Sequence, residues 1–178
     1  GTVFWVSLAM ILYSIIGFPL LCFLLASFFK KRKTPENYYP SVSVIVAAYN
    51  EEHIIAKKIE NLLEQDYPLG KLEIIVVSDA STDGTNGIVE QYEKEGVKLL
   101  ALQKRTGVSE AFHHGVMASS GDILMFTDAT GMFSQNALEK LMRWFRDPKV
   151  GGVCGRDSYR NEADSSTGKG WSLYIVYE

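Results

Sequence analysis

The sequence predicts an α/β domain, a mostly parallel sheet with helices on both faces, preceded by a transmembrane helix. Three observations carry this. Residues 1–29 contain no charged side chain. Beyond residue 40, β-rich runs alternate with stretches of helical period, the pattern of parallel strands joined by crossover helices. Leu72 to Val77 is, Glu73 apart, an apolar run of the kind found in strands buried on both faces.

The opening segment is rich in Leu, Ile, Phe and Val. As a helix it would span roughly 40 Å, more than the ~30 Å hydrocarbon layer. Pro19 should kink it or mark a boundary within it. A cleaved signal peptide would start with basic residues and have a shorter apolar stretch. Here the cluster Lys30, Lys31, Arg32 and Lys33 follows the apolar run. The positive-inside rule keeps that end in the cytoplasm. The expected layout is a single span over 1–29, a basic juxtamembrane linker over 30–40, and a cytosolic domain over 41–178. Of the 18 Lys+Arg, four form the cluster; the other 14 face 21 Asp+Glu, a net of −7. So acidic a domain argues against nucleic acid as a partner. It does not argue against an anionic ligand if a cation accompanies it. Cys22 and Cys154 suggest neither a disulfide nor a metal site.

The elements follow in order. Val42 to Ala48 is a β-rich run. Asn50 is placed to cap the next helix, with Glu51 and Glu52 in its first turn. Ile55, Ile59, Leu62 and Leu63 then fall on one helical face. Residues 66–70 (Asp-Tyr-Pro-Leu-Gly) break that helix before the Leu72 strand. A second helix starts near Thr85 and turns Ile88, Val89 and Tyr92 inward. Val97 to Leu102 is a third strand. Ser109 to Ala118 is helical, with Ala111, Phe112, Gly115 and Val116 inside. Ile123 to Thr127 is the fourth strand. Ser134 is placed to cap a helix whose inner face is Leu138, Leu141, Met142 and Phe145. Val150 to Gly155 is a last short strand, and Asp157 to Gly170 is a polar loop.

Ligands of such sheets bind beyond the carboxyl ends of the strands. Acidic residues stand at three of these ends, in Ala48-Tyr-Asn-Glu51, Ser78-Asp-Ala-Ser-Thr-Asp83 and Thr127-Asp-Ala-Thr130. Helix capping is the ordinary reading of each Asp taken singly. Carboxylates gathered on one edge repel unless a cation or hydrogen-bond donors lie between them. On this reading Asp79 and Asp128 stand at neighbouring strand ends. His113 and His114 are adjacent and point apart on a helix, and His53 belongs to the surface.

The segments PSVSVIVAAYNEEH (40–53), KLEIIVVSDASTDGT and GDILMFTDAT resemble, in order and spacing, the motifs of family 2 glycosyltransferases. NALEKLMRWFRDPKVGGVCG and the closing WSLYIVYE continue the similarity. The resemblance implies the GT-A fold and a set of roles. Ala47, Tyr49 and Glu51 match positions around the nucleoside. Asp79 matches the carboxylate that binds base or ribose. Asp83 matches a second acid of that loop, placing nucleotide or metal. Asp128 matches the first acid of the DxD-type metal motif. A Mg²⁺ or Mn²⁺ ion there would bridge diphosphate oxygens and stabilise the leaving group. The implied donor is a nucleotide-diphosphate sugar, with a UDP-sugar the first choice. The implied acceptor is a saccharide or lipid-linked hydroxyl, attacked with inversion, in cell-surface polysaccharide or glycoconjugate synthesis.

Three departures temper that expectation. Thr130 replaces the second acid of the DxD-type motif. Val108 stands where members carry a lysine near the phosphates, leaving Lys104 or Arg105 to compensate in part. No residue after Arg156 matches a general base, and the chain stops where members continue, as a fragment or truncated product would. The alternative reading is therefore a nucleotide-sugar-binding module without catalysis. A dinucleotide-binding oxidoreductase lacks its G-x-G-x-x-G after the first strand. An aspartyl phosphatase lacks a carboxylate two residues after Asp79 or Asp128.

Overall fold

A computed structural model describes residues 1–28, 35–155 and 176–177. The chain divides into two units, Gly1–Thr34 and Pro35–Glu178. The basic cluster, the 157–170 loop and the side chains of the closing segment lie outside the described residues.

The first unit is helical, with α1 over Thr2–Leu12, a π-helical turn over Tyr13–Gly17 and α2 over Phe18–Phe28. Residues 2–25 form one apolar helix long enough to cross a membrane. Pro19 does not end it. Proline lacks an N–H, and its ring crowds the carbonyl four residues earlier. The π-helical turn over Tyr13–Gly17 includes Ile15, the residue whose carbonyl the ring of Pro19 would crowd.

The second unit is built on a parallel sheet of order β3-β2-β1-β4. Its strands are β1 (Val42–Ala48), β2 (Leu72–Ser78), β3 (Val97–Ala101) and β4 (Ile123–Asp128). Strand β1 is central, and its alternating side chains enter two cores. Val42, Val44 and Val46 pack with residues of α3 (Ile55–Leu63), α4 (Thr85–Glu90) and α6 (Ala137–Met142). Ile45, with Ile75 and Val77, meets α5 (Val108–Ala118) on the other face. The expected inner faces of all four helices are observed.

Three expectations are corrected. Asn50 is not a helix cap: α3 begins at Ile55 and has no side-chain cap. Ser134 precedes α6 by too much to cap it with its hydroxyl; instead its carbonyl accepts the Ala137 N–H at 2.8 Å. The last strand is only β5 (Gly152–Val153). It pairs antiparallel with β6 (Val176–Tyr177), apart from the parallel sheet.

At the amino edge of the sheet, Glu73 gathers four donors. They are the Ser43 hydroxyl, Lys98 Nζ at 2.6 Å, and the Ser120 N–H and hydroxyl at 2.9 and 3.0 Å. Burial opposes the charge, but these donors outweigh it and hold the carboxyl down at about 2. A depressed folded-state value stabilises above the ordinary carboxylate range and is lost as pH falls from about 4.5 toward 2. Glu73→Gln should therefore cost on the order of 1–2 kcal/mol at pH 7, allowing for solvent screening. The penalty should shrink toward pH 3. Urea midpoints of both proteins at the two pH values check this; an equal penalty at both would contradict it.

Candidate functional site

Strand register aligns the three loops that the sequence singled out. Ala48 stands opposite Ser78, and Ala47 is paired with Val77 on one side and Asp128 on the other. Asp79 and Asp128 are not at neighbouring strand ends, because β1 separates β2 from β4. Two strand spacings amount to roughly 10 Å. Both Asp79 oxygens accept hydrogen bonds from Thr106 and Gly107, so Asp79 is not turned toward an ion at Asp128. The edge suits an extended ligand reaching from one acid to the other.

The first two loops are laced together. Asn50, in the left-handed region at φ 54°, accepts the Thr82 N–H at 2.8 Å and donates its own N–H to Ser81 Oγ at 3.1 Å. The Glu51 N–H donates to Thr85 Oγ1 at 2.8 Å. The Glu52 N–H donates to Asp83 Oδ2 at 3.1 Å, while Glu52 Oε2 accepts the Gly84 N–H at 2.8 Å. Asp83 Oδ1 accepts the Thr85 N–H at 3.0 Å and the Thr85 hydroxyl. Burial opposes ionisation of Asp83, but these donors hold its carboxyl below the usual range. Both oxygens of Asp83 thus serve the loop itself. Ala80, at φ 58°, is also left-handed, a conformation that costs a β-carbon residue about 1–2 kcal/mol. Strain is concentrated at this edge.

Asp79 is 5% exposed. Its Oδ1 accepts the Thr106 N–H at 2.7 Å and the Thr106 hydroxyl at 3.0 Å, and its Oδ2 accepts the Gly107 N–H at 2.8 Å. Burial opposes its charge; these bonds, with the Arg105 guanidinium, outweigh that and keep the carboxyl below the ordinary range. Asp79 therefore fastens the start of α5 to the end of β2. Arg105 lies over the Tyr49 ring, 3.9 Å from its centroid. Of the two cations offered as substitutes for the missing lysine, Arg105 thus lies beside Tyr49. Val108, the first residue of α5, is 58% exposed.

The third loop carries Asp128 at the exposed end of β4, anchored by Ala129, which is fully buried. Asp128 Oδ1 accepts the Gly131 N–H at 2.8 Å and the Thr130 N–H at 3.2 Å. Partial burial opposes its ionisation. Gly131, Thr130 and the charge of Lys58 outweigh it and hold the carboxyl below the usual range.

Lys58 is the residue that sequence reasoning missed. It is fully buried. Its Nζ donates to Thr127 Oγ1 at 2.9 Å and to the Gly131 carbonyl, and stands 4.0 Å from the Phe133 ring centroid. Burial pushes its ammonium down to about 8, against the opposing pull of Asp128. The signal was present: Lys58 follows Ile55 by three and precedes Leu62 by four, so it interrupts the apolar stripe of α3. The histidines stay outside the site: His53, His113 and His114 are all exposed, and His114 faces Glu110 at 3.8 Å.

The comparisons agree with this architecture. The family model for glycosyl transferase family 2 matches residues 43–176. A β-monoglucosyldiacylglycerol synthase of Nostoc sp. is 33% identical over 143 residues, covering 78% of this chain and 31% of the relative. The chain thus spans about a third of the length of that relative. Among solved structures, the Pyrobaculum calidifontis mannosyltransferase PcManGT, in complex with GDP-Man and Mn²⁺, superposes with a TM-score of 0.71 at 34% identity. It covers 82% of this chain and 45% of that one. S. aureus TarS 1-349 in complex with UDP-GlcNAc superposes with a TM-score of 0.58 at 28% identity, over 67% of this chain and 37% of its own. The fold is GT-A, and the chain belongs to glycosyl transferase family 2.

Proposed function

We propose that this chain is the donor-binding part of a glycosyltransferase that takes a nucleotide-diphosphate sugar and a divalent cation. The observation that carries this reading is the alignment of Tyr49, Asp79 and Asp128 along one sheet edge, with Asp128 ionised and exposed. Tyr49 and Arg105 offer a ring and a guanidinium beside the base and diphosphate. Ala47 and Glu51 border the same end, Asp79 holds the β3–α5 connection beneath it, and Asp83 braces the loop. Among the described residues no group of three or more His, Cys, Asp or Glu forms. A cation at Asp128 would therefore draw its other ligands from diphosphate and water. That donor set fits a hard ion that keeps several waters, Mg²⁺ or Mn²⁺, and not a thiolate-preferring one. Such an ion, when bound, offsets the charge that grows on the departing diphosphate.

In the reaction the bond from anomeric carbon to diphosphate breaks and a bond to the acceptor oxygen forms on the opposite face, giving inversion. The acceptor proton passes to a base. PcManGT with GDP-Man and TarS with UDP-GlcNAc support a nucleotide-diphosphate donor. The diacylglycerol synthase supports a lipid or saccharide acceptor in glycoconjugate synthesis. The test is calorimetric titration of the purified chain with UDP, GDP and their sugars, with and without Mn²⁺. At least one nucleotide should bind, and more tightly with metal. Absence of binding across the panel would sink the proposal.

A further inference from the structure

We propose that Lys58 is a positioning residue for Asp128: an internal cation that holds the metal-facing loop from behind. The inference rests on the reading of Asp128 as the cation-binding acid.

The loop from Thr127 to Phe133 carries a single carboxylate, because Thr130 stands where a second acid would be. One carboxylate can hold an ion with diphosphate and water only if its direction is fixed in advance, since the ion supplies no second protein bond to correct it. The structure fixes it in two steps. Asp128 Oδ1 is held by the N–H groups of Thr130 and Gly131. The Gly131 peptide is held in turn by Lys58 Nζ on its carbonyl, and the same ammonium grips Thr127 Oγ1 on the other side of Asp128. Phe133 closes over Lys58 with its ring. Lys58 thus contacts the residue before Asp128, the residue that donates to Asp128, and the residue that ends the loop.

A second side chain on the same face of α3 completes the clamp. Asn61, three residues on, donates through Nδ2 to the Phe133 carbonyl at 2.8 Å and accepts the Phe133 N–H at 2.7 Å. Gln65, four further, accepts the Leu138 N–H at 3.3 Å. Polar side chains at 58 and 61 on a helix that otherwise presents Ile55, Ile59 and Leu62, and at 65 just beyond its end, are costly to bury. Each of the three meets the segment from Thr127 to Leu138, and the Gln65 Nε2 also donates to the Asn61 carbonyl at 3.1 Å. Lys58 makes no ion pair with a carboxylate among the described residues, so its charge is directed at the loop as a whole and not neutralised within the core. Asn61 and Gln65 fix the path of the segment, and Lys58 fixes the orientation of the acid.

The test uses the whole purified chain in detergent, with UDP, GDP and MnCl₂ as probes. Lys58→Met keeps the apolar stem and removes the ammonium. It should reduce the Mn²⁺-dependent gain in nucleotide affinity by roughly 10–100-fold, the usual effect of losing a partner that orients a metal ligand. Metal-free nucleotide affinity should stay within about twofold, because the Tyr49 and Asp79 end is untouched. Hydrogen exchange of the Gly131 and Phe133 amides should accelerate with no metal or nucleotide present. Thr127→Val, which removes one of the two oxygen partners and little volume, should show a weaker form of the same pattern. Lys57→Met, on the exposed side of α3, should show none of it. A metal gain unchanged in Lys58→Met overturns the proposal, as does an equal loss of metal-free binding, which would mark a merely structural role. Unchanged amide exchange also overturns it. If the parent protein shows no metal-dependent gain while exchange accelerates in Lys58→Met, the clamp stands and the cation reading of Asp128 fails.

Discussion

Asp128→Asn should remove the metal-dependent part of nucleotide binding and leave the metal-free part intact. The substitution is almost isosteric. An asparagine Oδ1 can still accept the Gly131 and Thr130 N–H groups that hold Asp128 at 2.8 and 3.2 Å, so the loop keeps its path. What disappears is the charge. Charge-assisted contacts are worth about 1.5–3 kcal/mol, so the Mn²⁺-supported gain should fall by roughly 10–150-fold. The position allows little compensation. No described acid joins Asp128 to make a three-ligand group, and Asp79 lies across β1 with both oxygens engaged by Thr106 and Gly107. Calorimetry with UDP and GDP, with and without Mn²⁺, reads the effect directly. Retention of the full metal gain would mean that the cation sits elsewhere. Asp79→Ala should behave differently: by freeing the start of α5 it should weaken nucleotide binding with or without metal, in part through disorder of the Arg105 to Gly107 segment.

The second large effect is expected at Gly115. A β-carbon built there would lie 2.3 Å from Ile45 Cγ2 and 3.2 Å from Val77 Cγ2. Both side chains are fully buried on the central strands, so neither can retreat without moving the sheet. Overpacking of this kind costs about 1–3 kcal/mol, which the better helix propensity of alanine, about 1 kcal/mol, offsets only in part. Gly115→Leu should exceed that range, because the whole side chain would have to enter the same contact. Against a total domain stability of about 5–15 kcal/mol, such a loss is large. Near-UV circular dichroism during urea unfolding should show a lower midpoint for Gly115→Ala and a much lower one for Gly115→Leu. The site should suffer too, since α5 carries at its start the N–H groups that hold Asp79. A midpoint unchanged in both variants would show that α5 does not pack this closely on β1 and β2.

Much of the architecture was legible in the residues. Four β-rich runs and the inner faces of four helices were readable because burial on both sides of a parallel sheet demands apolar strands and amphipathic crossovers. The acids Asp79 and Asp128 at the carboxyl ends of strands were legible because each directly follows or closes a β-rich run, the edge where ligands of such sheets bind. The π-helical turn ahead of Pro19 fits a local rule, the missing N–H of proline.

What the sequence could not decide was which strand stands between which. The order β3-β2-β1-β4 separates Asp79 from Asp128, although both follow apolar strands in the same way. Long-range pairing sets that distance, and no local pattern encodes it. The same holds for Asn50 and Ser134, whose residue types suit helix caps. Tertiary partners, Thr82 and Ser81 in the case of Asn50, prevailed over the local propensity. Lys58 is the clearest instance. A lysine on an apolar stripe reads from the sequence as an interruption. Only the fold brings Thr127, Gly131 and Phe133, about seventy residues away in the chain, within reach of its ammonium. A buried charge is tolerable only when such donors and acceptors surround it, and they are assembled by the tertiary structure alone.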